Sequence, residues 1–175
     1  MTTPIQYRSE EVISAILEGN HFAVQRLCRE LDEGQKRGGE AHQIILFAIL
    51  QRDWDSLIFA LDCGLDPNAA DDDGLSALVT AVSMKEADAV RQLLKFGANP
   101  NLADSEGDTP LHYAVLLASQ DGGHEKNDKL SYILGLLLAA GGEVGICNRL
   151  GQTPIDLAID GAWVDGIRLL LESNC

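Results

Sequence analysis

Four histidines, four cysteines and a run of three aspartates are the residues of this sequence whose types could do chemistry. An imidazole paired with a nucleophile and an orienting acid makes a hydrolytic site, and His112 is the candidate base. No such constellation accompanies it. His21, His42 and His124 stand far apart, with no ligand spacing between them. Cys28, Cys63, Cys147 and Cys175 are widely spaced and lack a C-x-x-C pair, so four reduced thiols are expected rather than zinc or disulfides. Asp71-Asp72-Asp73-Gly74 looks at first like a calcium loop. Such a loop needs acidic ligands from five residues before its glycine and a glutamate six after it; Ala69 and Thr80 stand there, so a solvated turn is expected. The glycines form no G-x-x-x-x-G-K-[ST] phosphate loop. The chain is thus expected to be no enzyme and to hold no cofactor and no metal.

What positions these residues is a repeat. Gly107 to Ala118 reads G-D-T-P-L-H-Y-A-V-L-L-A, and weaker copies begin at Gly74-Leu75-Ser76-Ala77-Leu78 and Gly151-Gln152-Thr153-Pro154-Ile155. Thr109 suits a helix N-cap and Pro110 the first helical position, where no N–H is missed. Leu111, Ala114 and Val115 then give a short apolar helical face. Gly74 and Gly107 are 33 residues apart, and Gly107 and Gly151 are 44 apart, one period plus an insertion of 11. Cys63-Gly64-Leu65-Asp66-Pro67-Asn68 and Phe96-Gly97-Ala98-Asn99-Pro100-Asn101 keep the same 33-residue time.

On T-P-L-H-x-A at this period the chain resembles the ankyrin repeat family. The resemblance implies an all-α ankyrin repeat solenoid of about five stacked helix pairs joined by projecting turns, with an inserted loop in the fourth unit. It also implies a structural role for His112, tying neighbouring turns together. One domain over 1–175 is expected, with units at about 9–39, 40–73, 74–106, 107–150 and 151–175. Only the central unit carries the full motif: Val79 and Asp156 replace its histidine, and the first two units lack it.

Along the chain, residues 1–8 read as a flexible lead and Ser9 as the cap of a first helix. Val12, Ile13, Ile16 and Leu17, then Phe22, Val24, Leu27, Cys28 and Leu31, give a terminal pair whose outer face is polar. Gly34–Gly39 reads as an irregular first finger. Helices are expected near 43–51, 54–62, 76–83 and 87–95, with Cys28 and Cys63 packed. Ser119–Lys129, wholly polar or glycine, is expected to be an exposed loop between the helices of the fourth unit. In the last unit Gly161, Ala162 and Asp165 are expected to keep the end soluble while Trp163, Ile167 and Leu170 anchor it.

The net charge of −14 argues against nucleic acid or an anionic membrane as ligand and for a basic protein partner. The first eleven residues lack a signal-type apolar core and Leu130–Ala140 is too short to span a bilayer, so a cytoplasmic protein, monomeric when free, is expected. In the family, finger tips and late positions of each first helix form the binding groove. Carried onto this chain they are His42, Leu50 and Gln51; Asp72, Asp73, Leu75, Ser83 and Met84; Ser105, Glu106, Asp108, Leu116 and Leu117; and Arg149, Leu150, Gln152 and Asp160. The fingers are acidic through Asp71, Asp72, Asp73, Asp104, Glu106 and Asp108, and Leu50, Met84, Leu116 and Leu117 are the apolar anchors. The reading is an acidic inhibitor or immunity-type protein that occludes a basic partner such as a nuclease-like toxin. The alternative is an adaptor joining two proteins through the groove and the 119–129 loop.

Overall fold

Short helices need local starts and stops, and polar side chains supply the starts. Asn20, Asp53 and Ser76 each accept, through a side-chain oxygen, the N–H group three residues on, from Ala23, Ser56 and Val79. The computed structural model describes residues 8–120 and 128–172. Within them the helices are α1 (Arg8–Leu17), α2 (His21–Glu30), α3 (Glu33–Arg37), α4 (Gly39–Leu50), α5 (Trp54–Asp62), α6 (Ala77–Ser83), α7 (Ala87–Lys95), α8 (Pro110–Gln120), α9 (Asp128–Ala139), α10 (Pro154–Asp160) and α11 (Val164–Glu172). The turn inside a helix pair uses a residue in the left-handed region: Arg52 (φ 54°), Lys85 (φ 58°) and Ala162 (φ 52°). At each, the following N–H closes the helix end, Asp53 onto Ala48, Glu86 onto Ala81 and Trp163 onto Ala158, all at 2.9 Å.

The pairs stack in two layers. α1, α4, α6, α8 and α10 pack in sequence along one side, and α2, α5, α7, α9 and α11 along the other. The interface between layers is the core, where Ile44, Leu57, Leu78, Leu93, Leu111 and Ile133 are fully buried. Each such side chain contributes about 2–3 kcal/mol by leaving water. No helix among the described residues is long and apolar enough to cross a membrane.

Several local expectations are corrected. Ser9 lies inside α1 rather than capping it. The breaker-rich stretch 34–39 is not a finger: Asp32 accepts from the Gln35 N–H, the Gln35 side chain accepts from the Asp32 N–H, and this capping box starts α3. α4 accordingly begins at Gly39, four residues earlier than expected. Ser119 and Gln120 complete α8, and Asp128 and Lys129 open α9; the middle of the expected loop, 121–127, lies outside the described residues, as does the lead 1–7. Phe22 is 77% exposed rather than part of the first unit's apolar face. At the other end Trp163 and Leu170 are buried and Ile167 is half-buried, as anchoring requires. Gly161, however, serves packing, because a Cβ there would meet the Ser119 side chain, and Leu150, Ile159, Val164 and Leu171 leave that end partly apolar.

Ala162 is exposed, so only its backbone strain distinguishes it from glycine. A left-handed alanine costs about 1–2 kcal/mol, partly offset by the extra freedom glycine brings to the unfolded chain. Ala162→Gly is expected to stabilise the protein by about 0.5 kcal/mol. Urea unfolding followed by circular dichroism checks it, as a higher midpoint at unchanged slope.

Candidate protein-binding face

Three five-residue turns project between the pairs, and one chemical device builds each. At the first position Asp71, Asp104 or Asn148 uses its Oδ1 to accept two N–H groups: Asp73 and Leu75 at 3.1 and 2.8 Å, Glu106 and Asp108 at 2.8 and 2.9 Å, Leu150 and Gln152 at 3.0 Å each. The backbone of the same residue closes the turn, donating to Leu75, Asp108 or Gln152. The fourth position is Gly74, Gly107 or Gly151, with φ of 76°, 83° and 76°. The first junction has Gly38 and Ala41 at the corresponding places, so neither the side-chain acceptor nor the left-handed residue is present and no finger forms.

The fingers are joined to one another. The Ser105 N–H donates to the Asp73 carbonyl at 2.9 Å and the Arg149 N–H to the Glu106 carbonyl at 2.8 Å. This approach leaves no space for a side chain: a Cβ on Gly74 would stand 3.3 Å from Asp104 Cα, and one on Gly107 3.1 Å from Asn148 Cα. A second ladder runs along the base. Asn68 accepts from the Asn99 N–H at 2.7 Å and donates to the Gly97 carbonyl, while Asn101, 33 residues on, accepts from the Glu143 N–H at 2.7 Å and donates to the Gly141 carbonyl at 3.0 Å. Their recurrence was visible in the sequence, but binding of the next repeat's backbone has no short-range signal.

His112 is fully buried in this frame. Its Nδ1 accepts from the Thr109 N–H and hydroxyl at 3.1 and 2.8 Å, which leaves Nε2 protonated to donate to the Gln152 carbonyl of the next finger at 3.1 Å. Thr109 is therefore a donor to the imidazole, where a conventional cap would accept. Asp156, at the corresponding place in the last pair, accepts from the Thr153 hydroxyl and N–H at 2.7 and 2.8 Å, and these bonds hold its carboxyl below the usual range. It keeps the capping half of the histidine's role and has no N–H to send onward. His42 is also buried, at 5% exposure, and its Nδ1 donates to the Ala69 carbonyl at 3.1 Å. It supports the first finger from behind and does not stand on the groove surface.

The remaining candidate residues divide by exposure. Leu50, Gln51, Asp72, Asp73, Ser83, Ser105, Glu106, Arg149, Leu150 and Asp160 are exposed; Leu75, Met84, Asp108, Leu116, Leu117 and Gln152 are half-buried, with Met84, Leu116 and Leu117 packed on the core. Asp108 accepts from Asn148 Nδ2 at 2.9 Å and so is committed to the fold. Asp104 is likewise structural: partial burial opposes its charge, but the Tyr113 hydroxyl at 2.6 Å and the N–H groups of Asp108, Glu106 and Gly107 hold its carboxyl below the usual range. Burial and the same carboxylate push the Tyr113 phenol up. Cys28 is buried and its thiol is pushed up to about 12 by burial, which keeps it unreactive. Cys63 is half-buried and shifted the same way, Cys147 is exposed, and Cys175 lies outside the described residues. Among the described residues no group of three or more His, Cys, Asp or Glu is placed to hold a metal ion.

A family model for ankyrin repeats, in three copies, matches residues 45–127. That stretch is made of ankyrin repeats. No curated protein matches it. Ankyrin repeats are protein–protein interaction modules, typically without catalysis, and the locked fingers and buried His112 fit that use: every polar group of the motif is occupied in holding the scaffold. The matched stretch spans α5 to α8 and part of α4, so the pairs α1/α2 and α10/α11 carry their own architecture outside it.

Two predictions follow from the ankyrin fingers. Gly107→Ala combines left-handed strain with backbone contacts at 3.1 Å, whereas Gly151→Ala at similar φ meets nothing within 4 Å. Losses of about 3 and about 1 kcal/mol respectively are expected by denaturant titration. Asp104, depressed in the folded state, adds stability that is present above its unfolded pKa near 4 and is lost as pH falls through the lower folded value. Asp104→Asn keeps the turn, as Asn148 shows, so its unfolding midpoint should fall less steeply than the wild type's between pH 5 and pH 2.

Proposed function

We propose that the first two fingers form an acidic docking face that binds a basic protein and occludes its working surface. The observation that carries this is the placement of Asp72, Asp73 and Glu106: exposed, on consecutive fingers, on turns whose backbone is already held by side-chain and inter-finger bonds. Charges fixed in this way cost little entropy to engage and steer an oppositely charged partner. Arg149, whose guanidinium stands 3.6 Å from Glu106, marks the edge of the acidic field, and the third finger beyond it carries the exposed Leu150. Leu50 and the half-buried Met84, Leu116 and Leu117 supply apolar contact alongside. A scaffold of this size bearing an acidic face is suited to inhibition by occlusion. A nucleic-acid-binding enzyme, whose own surface is basic, is the kind of target it fits.

The test is Asp72→Lys, Asp73→Lys and Glu106→Lys together, sparing Asp108 because its carboxylate holds Asn148. Wild type is expected to retain a basic protein from its native lysate at moderate salt and to block that protein's activity at equimolar ratio. The triple variant, folded by circular dichroism, should associate at least about tenfold more slowly. Retention of the same proteins by both chains, or capture without inhibition, refutes the occlusion reading.

A further inference from the structure

Replacing a finger by α3 has left a cleft. It has a volume of about 360 Å³ and is lined by Gly39, His42, Gln43 and Leu46 of α4 and by Ala70, Asp71 and Asp72 of the first finger. On the other fingers this side is filled by the preceding turn, packed at the closest backbone distance. Here nothing lies within 4 Å of where a Cβ on Gly39 would stand, so the cleft is open at the α4 edge that faces solvent.

The lining is matched to one kind of occupant. His42 is 5% exposed, and its Nδ1 must carry the proton that it donates to the Ala69 carbonyl. In the neutral ring Nε2 is then an acceptor, and no group among the described residues donates to it. Asp71 spends Oδ1 on the Asp73 and Leu75 N–H groups and has Oδ2 free of hydrogen bonds; Asp72 is exposed and its carboxylate makes none within the described residues. The cleft therefore offers acceptors at an imidazole nitrogen and two carboxylates, beside the aliphatic wall of Leu46. The first turn of α4 adds a partial positive charge at the Gly39 edge, but Glu40 in that turn offsets it and two full carboxylates outweigh it.

We propose that this cleft is a receptor for an arginine side chain of the basic partner. A guanidinium is a planar fork of five donors with no acceptor, which suits a lining whose free polar groups are acceptors, and its aliphatic stem suits Leu46. A lysine ammonium is a strongly hydrated point charge that gains less from such a divided set of acceptors. This inference rests on the acidic-finger reading and adds an anchor that fixes register on the partner.

The experiment uses the full chain and two fluorescent peptides of lysine and glycine, alike except for a central arginine in one and lysine in the other. Fluorescence anisotropy reads binding to wild type, to Gly39→Trp and Gly39→Leu, which fill the cleft and leave the finger charges intact, and to the triple lysine variant. Wild type is expected to bind the arginine peptide about tenfold tighter, the energy of one charge-assisted hydrogen bond. Both Gly39 variants should erase that preference while still binding the lysine peptide as wild type does. Equal binding of the two peptides by wild type, or a preference that survives both Gly39 variants, overturns the cleft and leaves the finger reading standing. If instead the triple variant binds the lysine peptide as well as wild type, the finger reading fails.

Discussion

The constraint on which the rest of the structure depends is the close backbone approach of successive fingers. Asp73 to Ser105 and Glu106 to Arg149 are linked by main-chain bonds, and at 74 and 107 glycine alone meets both the left-handed backbone and the tight space beneath them without strain. That spacing sets the distance between successive helix pairs. It places His112 within reach of the Gln152 carbonyl and Asn101 within reach of Gly141 and Glu143. The helices adapt to it: α6 and α10 have only seven residues each, short of what would stand alone in water, and gain their stability from neighbours in the stack.

Function follows from the same economy. Polar groups that in an enzyme would be poised on substrate are here consumed by the scaffold. His112 makes three hydrogen bonds, to Thr109 and Gln152, Asp104 holds a phenol and its own turn, and Asp108 holds Asn148. What remains free points outward from the finger tips, and it is mostly negative. In the binding proposed above, Asp72, Asp73 and Glu106 would act from turns that are already ordered, so little of the encounter energy would go into ordering loops.

Much of this was legible in the residues. The helices expected at 54–62, 76–83 and 87–95 match α5, α6 and α7 closely because Asp53, Ser76 and the terminal glycines 64 and 97 punctuate them. The fold-supporting role of His112 was readable from its motif. The stretch 34–39 was misread because three glycines outweighed Asp32 and Gln35, whose reciprocal bonds are a stronger helix start than the glycines are a stop. The cleft lay beyond sequence reasoning altogether, since it depends on a finger that is absent and on His42 turning its Nδ1 inward to Ala69. Exposure of Ile159 and Val164 at the far end was equally hidden, because helical periodicity says which residues share a face but not whether a neighbour covers it.

The missing first finger also sets how the array comes apart. Across the second, third and fourth pairs, neighbouring units are sewn at tip and base, and separating them severs main-chain bonds and asparagine clasps together. The first pair is fastened differently, by the Asp66 N–H on the Lys36 carbonyl, by His21 on Asp53 and by apolar packing of α1 and α2 on α4 and α5. It can lift away without breaking a rung of the tip ladder. The molecule thus has a seam where the fastening changes in kind, and Gly39, at the start of α4, joins that seam to the cleft beside the first finger.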